Sequence, residues 1–321
     1  MDNLNKGKNR ACIDCGNQYC PCHLAYSGDC IKCSLLRGEK TCDCLWQGIC
    51  VYNEVQHNKK ESLINERKEY LCEINNKKEL EEGIYLLEIN IPKILIEELS
   101  KVGAYILLKN KETENLSYNT PISVMDIDKE NEVLKVVIKK AGIKTKALLD
   151  CKEVIVKGPY FNGIFGVDKI NNIKSSNCLV TLSGLSQVNS INVIKKLLKN
   201  KNTVEVFYNK NSIILDVVIE TLNNMGVNIH IIDIEEDKDL IQDYIKRNNV
   251  SLIYSGGNNH FNKEIKSLVD DVSKEIILAI SNNNLICCGE GICGACTINL
   301  NGEKIKTCKT QINSNDLFQI M

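Results

Sequence analysis

Cys178-Leu-Val-Thr-Leu182, then a helix-like run from Val188 to Leu198, then Thr203-Val-Glu-Val-Phe-Tyr208 sets a rhythm that continues downstream. Leu215 to Met225 reads as helix, Val227-Asn-Ile-His-Ile-Ile232 as strand, Asp237 to Arg247 as helix and Val250-Ser-Leu-Ile-Tyr254 as strand. Phe261 to Val272 and Glu275-Ile-Ile-Leu-Ala-Ile280 add one more helix and one more strand. Apolar runs of strand length that alternate with helical periods imply βαβ units and a parallel sheet. Residues 175–280 are therefore expected to form an α/β parallel-sheet domain of the nucleotide-binding type. Ser255-Gly256-Gly257 follows the strand at 250–254, at the carboxyl edge where ligands of such sheets sit. A simple turn is the other use of those glycines.

Downstream, residues 281–321 hold Cys288-Gly-Glu-Gly-Ile-Cys293-Gly-Ala-Cys296, with Cys308 further on. This is C-x4-C-x2-C…C, the plant-type ferredoxin spacing for a [2Fe–2S] cluster. A tight loop delivers three thiolates and a nearby strand returns the fourth. Gly289, Gly291 and Gly294 let such a loop turn and bring amides toward the sulfurs. A structural zinc site is the alternative; it shares the C-x2-C but not the glycine-bearing x4 arm. Cys287 adjoins the ligands but falls outside the spacing, and reads as a packed or spare thiol.

Upstream, residues 83–174 show short strands separated by turn residues. Gly83-Ile-Tyr-Leu-Leu-Glu-Ile-Asn-Ile-Pro92, Ala104-Tyr-Ile-Leu-Leu-Lys109, Pro121-Ile-Ser-Val-Met-Asp126, Glu132-Val-Leu-Lys-Val-Val-Ile-Lys139 and Glu153-Val-Ile-Val-Lys157 are the clearest. Their close spacing predicts an antiparallel β-barrel. Residues 58–82 are charged and polar and read as a linker.

Of seventeen cysteines in 321 residues, nine lie between Cys12 and Cys50 and five between Cys287 and Cys308, leaving Cys72, Cys151 and Cys178 isolated. The chain starts without an apolar signal segment and holds no run of about 18 apolar residues, so a cytoplasmic location and no membrane contact are expected. Reduced, clustered thiols then read as metal ligands. Residues 1–57 look like a Cys-rich metal-binding module with an internal repeat. Cys12-x2-Cys15 with Cys20-x-Cys22 is followed by Cys30-x2-Cys33 with Cys42-x-Cys44. Two four-thiolate sites fit this count, formed within each unit or crossed between units. Zinc and an additional iron–sulfur cluster are both open readings, and a disulfide scaffold is a third. Cys50 is a ninth thiol and His23 a possible nitrogen ligand; Trp46 is expected to pack on a knuckle, and His57 to be solvated. A net charge of −1 and few aromatics near the N-terminus argue against a nucleic-acid partner.

A barrel, an α/β domain and a [2Fe–2S] loop in this order make a multidomain α+β chain. From about residue 83 onward it resembles the electron-transfer subunit of B-type dihydroorotate dehydrogenases, in the ferredoxin-NADP⁺ reductase superfamily. Val102-Gly103-Ala104-Tyr105-Ile106-Leu107-Leu108 is similar to the family's P-G-Q-F-V-x-L, and Pro121-Ile122-Ser123-Val124 to its flavin-binding R-P-[IF]-S-[IV]. Gly142-Ile143-Lys144-Thr145 is similar to G-x-G-T, and Gly158-Pro159 with Asn162-Gly163 to G-P-x-G-x-G-F. The resemblance implies FAD held by Pro121, Ile122, Ser123, Val124, Gly142 and Thr145. It also implies electrons from NADH, a [2Fe–2S] cluster and a partner flavoprotein.

Two departures qualify it. Thr120 stands where the family has a phosphate-pairing arginine, which replaces a bidentate cation by a neutral hydroxyl. Thr181-Leu-Ser-Gly-Leu-Ser-Gln187 stands where the family has G-G-G-x-G-x-[AP]. Side chains there obstruct close approach of a pyrophosphate, so NAD(P) is not expected as a cofactor. The expected function is electron transfer among a donor, FAD, the cluster and a partner such as a catalytic subunit or a ferredoxin. The alternative is a degenerate, non-enzymatic reductase scaffold that presents metal centres to a partner.

Overall fold

The computed structural model describes residues 11–42, 44, 50–57, 66–112 and 119–319. Trp46 lies outside them. In chain order, β1 (Ala11–Cys12), α1 (His23–Tyr26) and α2 (Val51–His57) come first. The barrel follows with β2 (Glu69–Glu81), β3 (Ile84–Asn90), α3 (Lys93–Leu99), β4 (Tyr105–Asn110), β5 (Thr120–Asp128), β6 (Val133–Lys139), α4 (Ile143–Leu149) and β7 (Glu153–Tyr160). Then come β8 (Ile164–Phe165), α5 (Val167–Asn172), β9 (Asn177–Leu182), α6 (Gln187–Lys199), β10 (Thr203–Asn209), α7 (Asp216–Asn224) and β11 (Asn228–Ile232). The sheet domain ends with α8 (Lys238–Arg247), β12 (Val250–Gly256), α9 (Asn259–Val272) and β13 (Ile277–Ser281). The chain closes with β14 (Thr297–Leu300), β15 (Glu303–Lys306), β16 (Thr310–Gln311) and α10 (Ser314–Leu317).

Two compact units result. One joins the N-terminal segment up to Lys68 with the C-terminal segment from Asn284; the other runs from Glu69 to Asn283. The Cys-rich block and the Cys288–Cys308 segment, set apart in the sequence reading as separate modules, thus share one unit.

In the larger unit the strands close into a barrel of order β2-β3-β6-β5-β4-β7. Inward alternation explains it: Leu134, Val136 and Ile138 of β6 are buried with Leu87, Ile89, Ile106 and Leu108. The linker expected at 58–82 is corrected here. Residues 58–65 lie outside the described set, but β2 is a barrel strand from Glu69 to Glu81. Its first half pairs with β7 and its second half with β3, so one long strand closes the barrel. Among its residues only Cys72 is fully buried, which is why no apolar alternation marks it.

The sheet has order β11-β10-β9-β12-β13-β8, parallel except for β8. Its central strand β9 is buried from Cys178 to Leu182, as a strand covered on both faces must be. α6 buries Val188, Ile191, Ile194 and Leu197, and α9 buries Phe261, Ile265, Leu268 and Val269, both at helical spacing. Barrel and sheet are joined through a close backbone approach. The Gly163 amide donates to the Gly103 carbonyl at 2.9 Å, and the Asn282 amide donates to the Gly163 carbonyl at 2.9 Å. A Cβ on Gly103, whose φ is +74°, would lie 2.8 Å from the Phe161 carbonyl oxygen.

Gly103→Ala should therefore destabilise the protein by about 3 kcal/mol or more, from left-handed strain plus collision. Gly83→Ala, at φ +70° with nothing within 4 Å, supplies the strain alone and should cost about 1 kcal/mol. Thermal unfolding of the two variants checks the difference; equal shifts would refute the close approach.

Candidate metal and nucleotide sites

The C-terminal thiols occupy a loop of left-handed glycines: Gly289, Gly291 and Gly294 have φ of +68°, +77° and +75°. The Glu290 amide donates to Cys288 Sγ at 3.3 Å. Cys296 and Cys308 are buried with their sulfurs 3.1 Å apart. A hydrogen bond from Cys308, outweighing burial, pushes Cys296 down to about 6, while the same contact and burial push Cys308 up. Cys288 is half-buried and Cys293 exposed. The donor set suits a [2Fe–2S] cluster, which Cys288, Cys293, Cys296 and Cys308 would hold by their thiolates. Cys287 is exposed.

Four charged side chains tie this loop to the N-terminal segment. Arg67 donates from Nη2 to Asp14 Oδ1 at 2.8 Å and from Nη1 to Glu290 at 3.1 and 3.2 Å. Lys309 Nζ donates to Asp14 Oδ2 at 2.5 Å and to Glu290 Oε2 at 2.8 Å. The result is a closed ring of alternating sign. Asp14, Arg67 and Lys309 are buried, and Arg67 also lies 4.1 Å over the Tyr19 ring. Burial raises the Asp14 carboxyl, but Lys309 and Arg67 more than reverse this and hold it below its usual range. The same opposition depresses Glu290, and it raises Lys309 through Asp14 and Glu290. The sequence gives no hint of this ring, because its members come from distant positions. Only Asp14 and Glu290 stand inside motifs, Cys12-x2-Cys15 and Cys288-x4-Cys293.

In the N-terminal block, Cys12, Cys15, Cys20, Cys22 and Cys30 line one small pocket with Leu24, Ala25, Ile31, Lys32 and Val51. Burial pushes Cys12, Cys22 and Cys30 up, and a hydrogen bond with Cys20 brings Cys15 down. The Cys33 amide donates to Cys30 Sγ at 3.4 Å. Cys42 and Cys44 have sulfurs 3.5 Å apart on the exposed side. His23 lies 3.4 Å from Glu66, and His57 is exposed.

The loops at the carboxyl ends of β9 and β12 are tied together by polar side chains. Buried Gln187 donates from Nε2 to the Gly184 and Ile213 carbonyls at 2.8 and 2.9 Å and accepts from the Leu215 amide at 2.9 Å. The Ser183 amide donates to the Gly256 carbonyl at 2.8 Å, bridging the two strand ends. A Cβ on Gly256 would meet the Ser186 carbonyl oxygen at 3.2 Å, and one on Gly257 would meet Phe261 at 2.1 Å. Asn262 bonds Ser255, Ser281 and the Gly257 carbonyl, and Asn283 also donates to that carbonyl at 2.7 Å. Gln187, Asn262 and Asn283 thus spend their amide groups on backbone and side-chain partners within these strand-end loops, while the space beside Gly184 is open.

On the barrel, Pro121 is exposed, Ile122 and Val124 are buried, and Ser123 is half-buried opposite Tyr105. Among the described residues, Thr120 Oγ1 is buried without a hydrogen-bond partner. That hydroxyl, at the start of β5, would be able to donate to an oxygen of a bound flavin. A flavin fits the start of α4 less well. There Thr145 Oγ1 accepts from the Ala141 and Gly142 amides at 3.0 and 3.1 Å, so the amides that would face a phosphate are in use. Glu235, His260 and Glu264 bring ligand atoms within 4.8 Å of one another on the surface, in the manner of ordinary exposed acidic groups.

No family model matches the chain. A Clostridium beijerinckii protein, described as an uncharacterized protein in the adh 3′ region, is 24% identical over 253 residues, 73% of this chain and 81% of that protein. The structure of an NADH-dependent reduced ferredoxin-NADP oxidoreductase superposes with a TM-score of 0.59 at 17% identity, over 78% of this chain and 92% of that one. The CS-b5R domains of human Ncb5or superpose with a TM-score of 0.50 at 15% identity, over 67% of this chain and 70% of theirs. The chain has the ferredoxin reductase-like fold. Among the described residues, no helix is long and apolar enough to cross a membrane.

The charge ring yields a stability test. Lys309→Met leaves Asp14 buried beside only one cation and should cost about 3–5 kcal/mol. Adding Asp14→Leu restores neutrality and should recover more than half of it. Since both carboxyls are depressed, the ring's contribution is full above about pH 4 and is lost as pH falls through their folded values. Thermal unfolding of single and double variants at pH 7 checks this; no recovery in the double variant would refute the neutral-ring account.

Proposed function

We propose that this chain is an electron-transfer protein. Cys288, Cys293, Cys296 and Cys308 hold a [2Fe–2S] cluster, a flavin binds at the start of β5, and a partner oxidoreductase exchanges electrons with them. The observation that carries this is the buried Cys296–Cys308 pair set against a glycine loop that turns an amide onto Cys288. FAD, when bound, links two-electron donors to one-electron carriers. Thr120 and Ser123 would bind it by their hydroxyls, with Pro121, Ile122 and Val124 shaping the strand beneath. Leu285 and Ile292 are 79% and 58% exposed beside the exposed Cys293, which supports docking of a partner protein at the cluster.

NAD(P)H is not the direct donor in this reading. Gln187 and the Asn262 network, whose amide groups are committed to partners within the strand-end loops, support that. The same features favour a second reading, in which the reductase core has lost both nucleotides and serves as a scaffold for metal centres. Flavin content separates the two. Anaerobically purified protein with about one flavin per chain supports the first; flavin-free protein that does not take up added FAD supports the second.

Two outcomes test the main reading. Cys293→Ser should abolish most of the [2Fe–2S] signal in absorbance and EPR, and Cys287→Ser should leave it nearly intact. Equal loss in both, or normal iron in Cys293→Ser, would overturn the ligand assignment. In stopped flow, NADH and NADPH should reduce the protein far more slowly than turnover rates on the order of 10 s⁻¹. Bleaching at that rate would sink the exclusion of NAD(P)H.

A further inference from the structure

The five-thiol pocket and the C-terminal loop belong to one unit and are nearly continuous. β1 pairs antiparallel with β16, placing Cys12 opposite Thr310. The Ile13 amide donates to the Lys309 carbonyl at 2.9 Å. Ile13 follows Cys12, and Lys309 follows Cys308. One hydrogen bond and a few covalent bonds therefore join a thiol of the pocket to a thiol of the C-terminal set. A second contact runs parallel. Leu24 lines the pocket, and a Cβ on Gly291 would lie 2.9 Å from Leu24 Cδ1. Asp14 also lines the pocket and is bonded to Lys309.

We propose that Cys12, Cys15, Cys20, Cys22 and Cys30 supply the ligands of a second iron–sulfur cluster, which exchanges electrons with the Cys288–Cys308 centre through the Cys308–Lys309···Ile13–Cys12 connection. The inference rests on the [2Fe–2S] reading for the C-terminal loop. The ligand set differs from the sequence repeat: the first unit contributes all four thiols and the second contributes Cys30 alone. Cys15 and Cys20 are hydrogen-bonded to each other, but the set does not close around one point. Among the described residues, no three cysteine sulfurs come within 4.8 Å of one another. A single zinc with bonds of about 2.3 Å would draw four sulfurs to roughly 3.8 Å apart. A polynuclear cluster spaces its thiolates more widely, and four-thiolate sets are what such clusters use. The transfer itself moves one electron and no atoms: one cluster is oxidised as the other is reduced. A redox partner protein supplies the electron, and dithionite stands in for it in vitro.

The test uses the full chain, purified anaerobically, with iron, sulfide and zinc quantified. More than two irons per chain with matching sulfide and little zinc is expected. The dithionite-reduced protein should show two EPR spin systems, broadened or split by each other. Cys15→Ser and Cys30→Ser should lower the second signal and narrow that of the [2Fe–2S] centre; Cys293→Ser should do the converse. Mössbauer spectra of unsubstituted, iron-57-enriched protein count the clusters without any substitution, in case the variants fold poorly. Two irons with one zinc, or two irons alone, overturns the second cluster and leaves the first reading standing. No iron at all overturns both. Two clusters without magnetic interaction overturn the proposed connection.

Discussion

The ring Asp14–Arg67–Glu290–Lys309 is what the smaller unit depends on. That unit gathers two chain ends around thiols and has few apolar residues to bury. Each member of the ring lies beside something that must be positioned. Asp14 sits between Cys12 and Cys15, Glu290 between Cys288 and Cys293, and Lys309 next to Cys308. Taking four charges out of water is costly, and only good geometry with several bonds per group offsets it. Every member here bonds two opposite charges. Two positive and two negative groups sum to zero, so the ring fixes the ligand loops without adding net charge beside the thiolates.

The larger unit shows a different use of polar groups. Its crevice has the topology that receives a dinucleotide in parallel sheets, with strand order reversing between β9 and β12. Gln187, Asn262 and Asn283 bond backbone groups of the loops at these strand ends. The glycines that resemble the reductase pattern survive where they carry the fold: Gly103 and Gly163 bring barrel and sheet together. Arginine and the glycine-rich loop, whose work is to hold anions, are replaced.

This division explains what the sequence made legible. β9 to β13 and their helices appear in the sequence because buried parallel strands and amphipathic helices imprint their periods directly. β2 leaves no such imprint, since it closes the barrel through backbone pairing and buries little beyond Cys72. The cluster spacing is local and so readable from Cys288 to Cys308. The recomposed thiol pocket is not, because a repeat that looks like two equal units folds so that Cys30 joins the first. Arg67 sits beside a charged stretch in which nothing marks one cation as buried.

Gln187 shows how firmly these strand-end loops are tied together. Its amide group serves three backbone partners at once, the carbonyls of Gly184 and Ile213 and the amide of Leu215. Replacing it by glycine would leave these groups unsatisfied in a buried place, at about 1–3 kcal/mol each. A pyrophosphate would recover only part of that, because it offers acceptors and the two carbonyls need donors. Rearranging this corner therefore requires coordinated change in the 183–187 loop, the start of α7 and the Gly256-Gly257 turn. The loop that differs from the reductase pattern in sequence is thus a finished piece of the protein interior, whose polar groups are matched to one another.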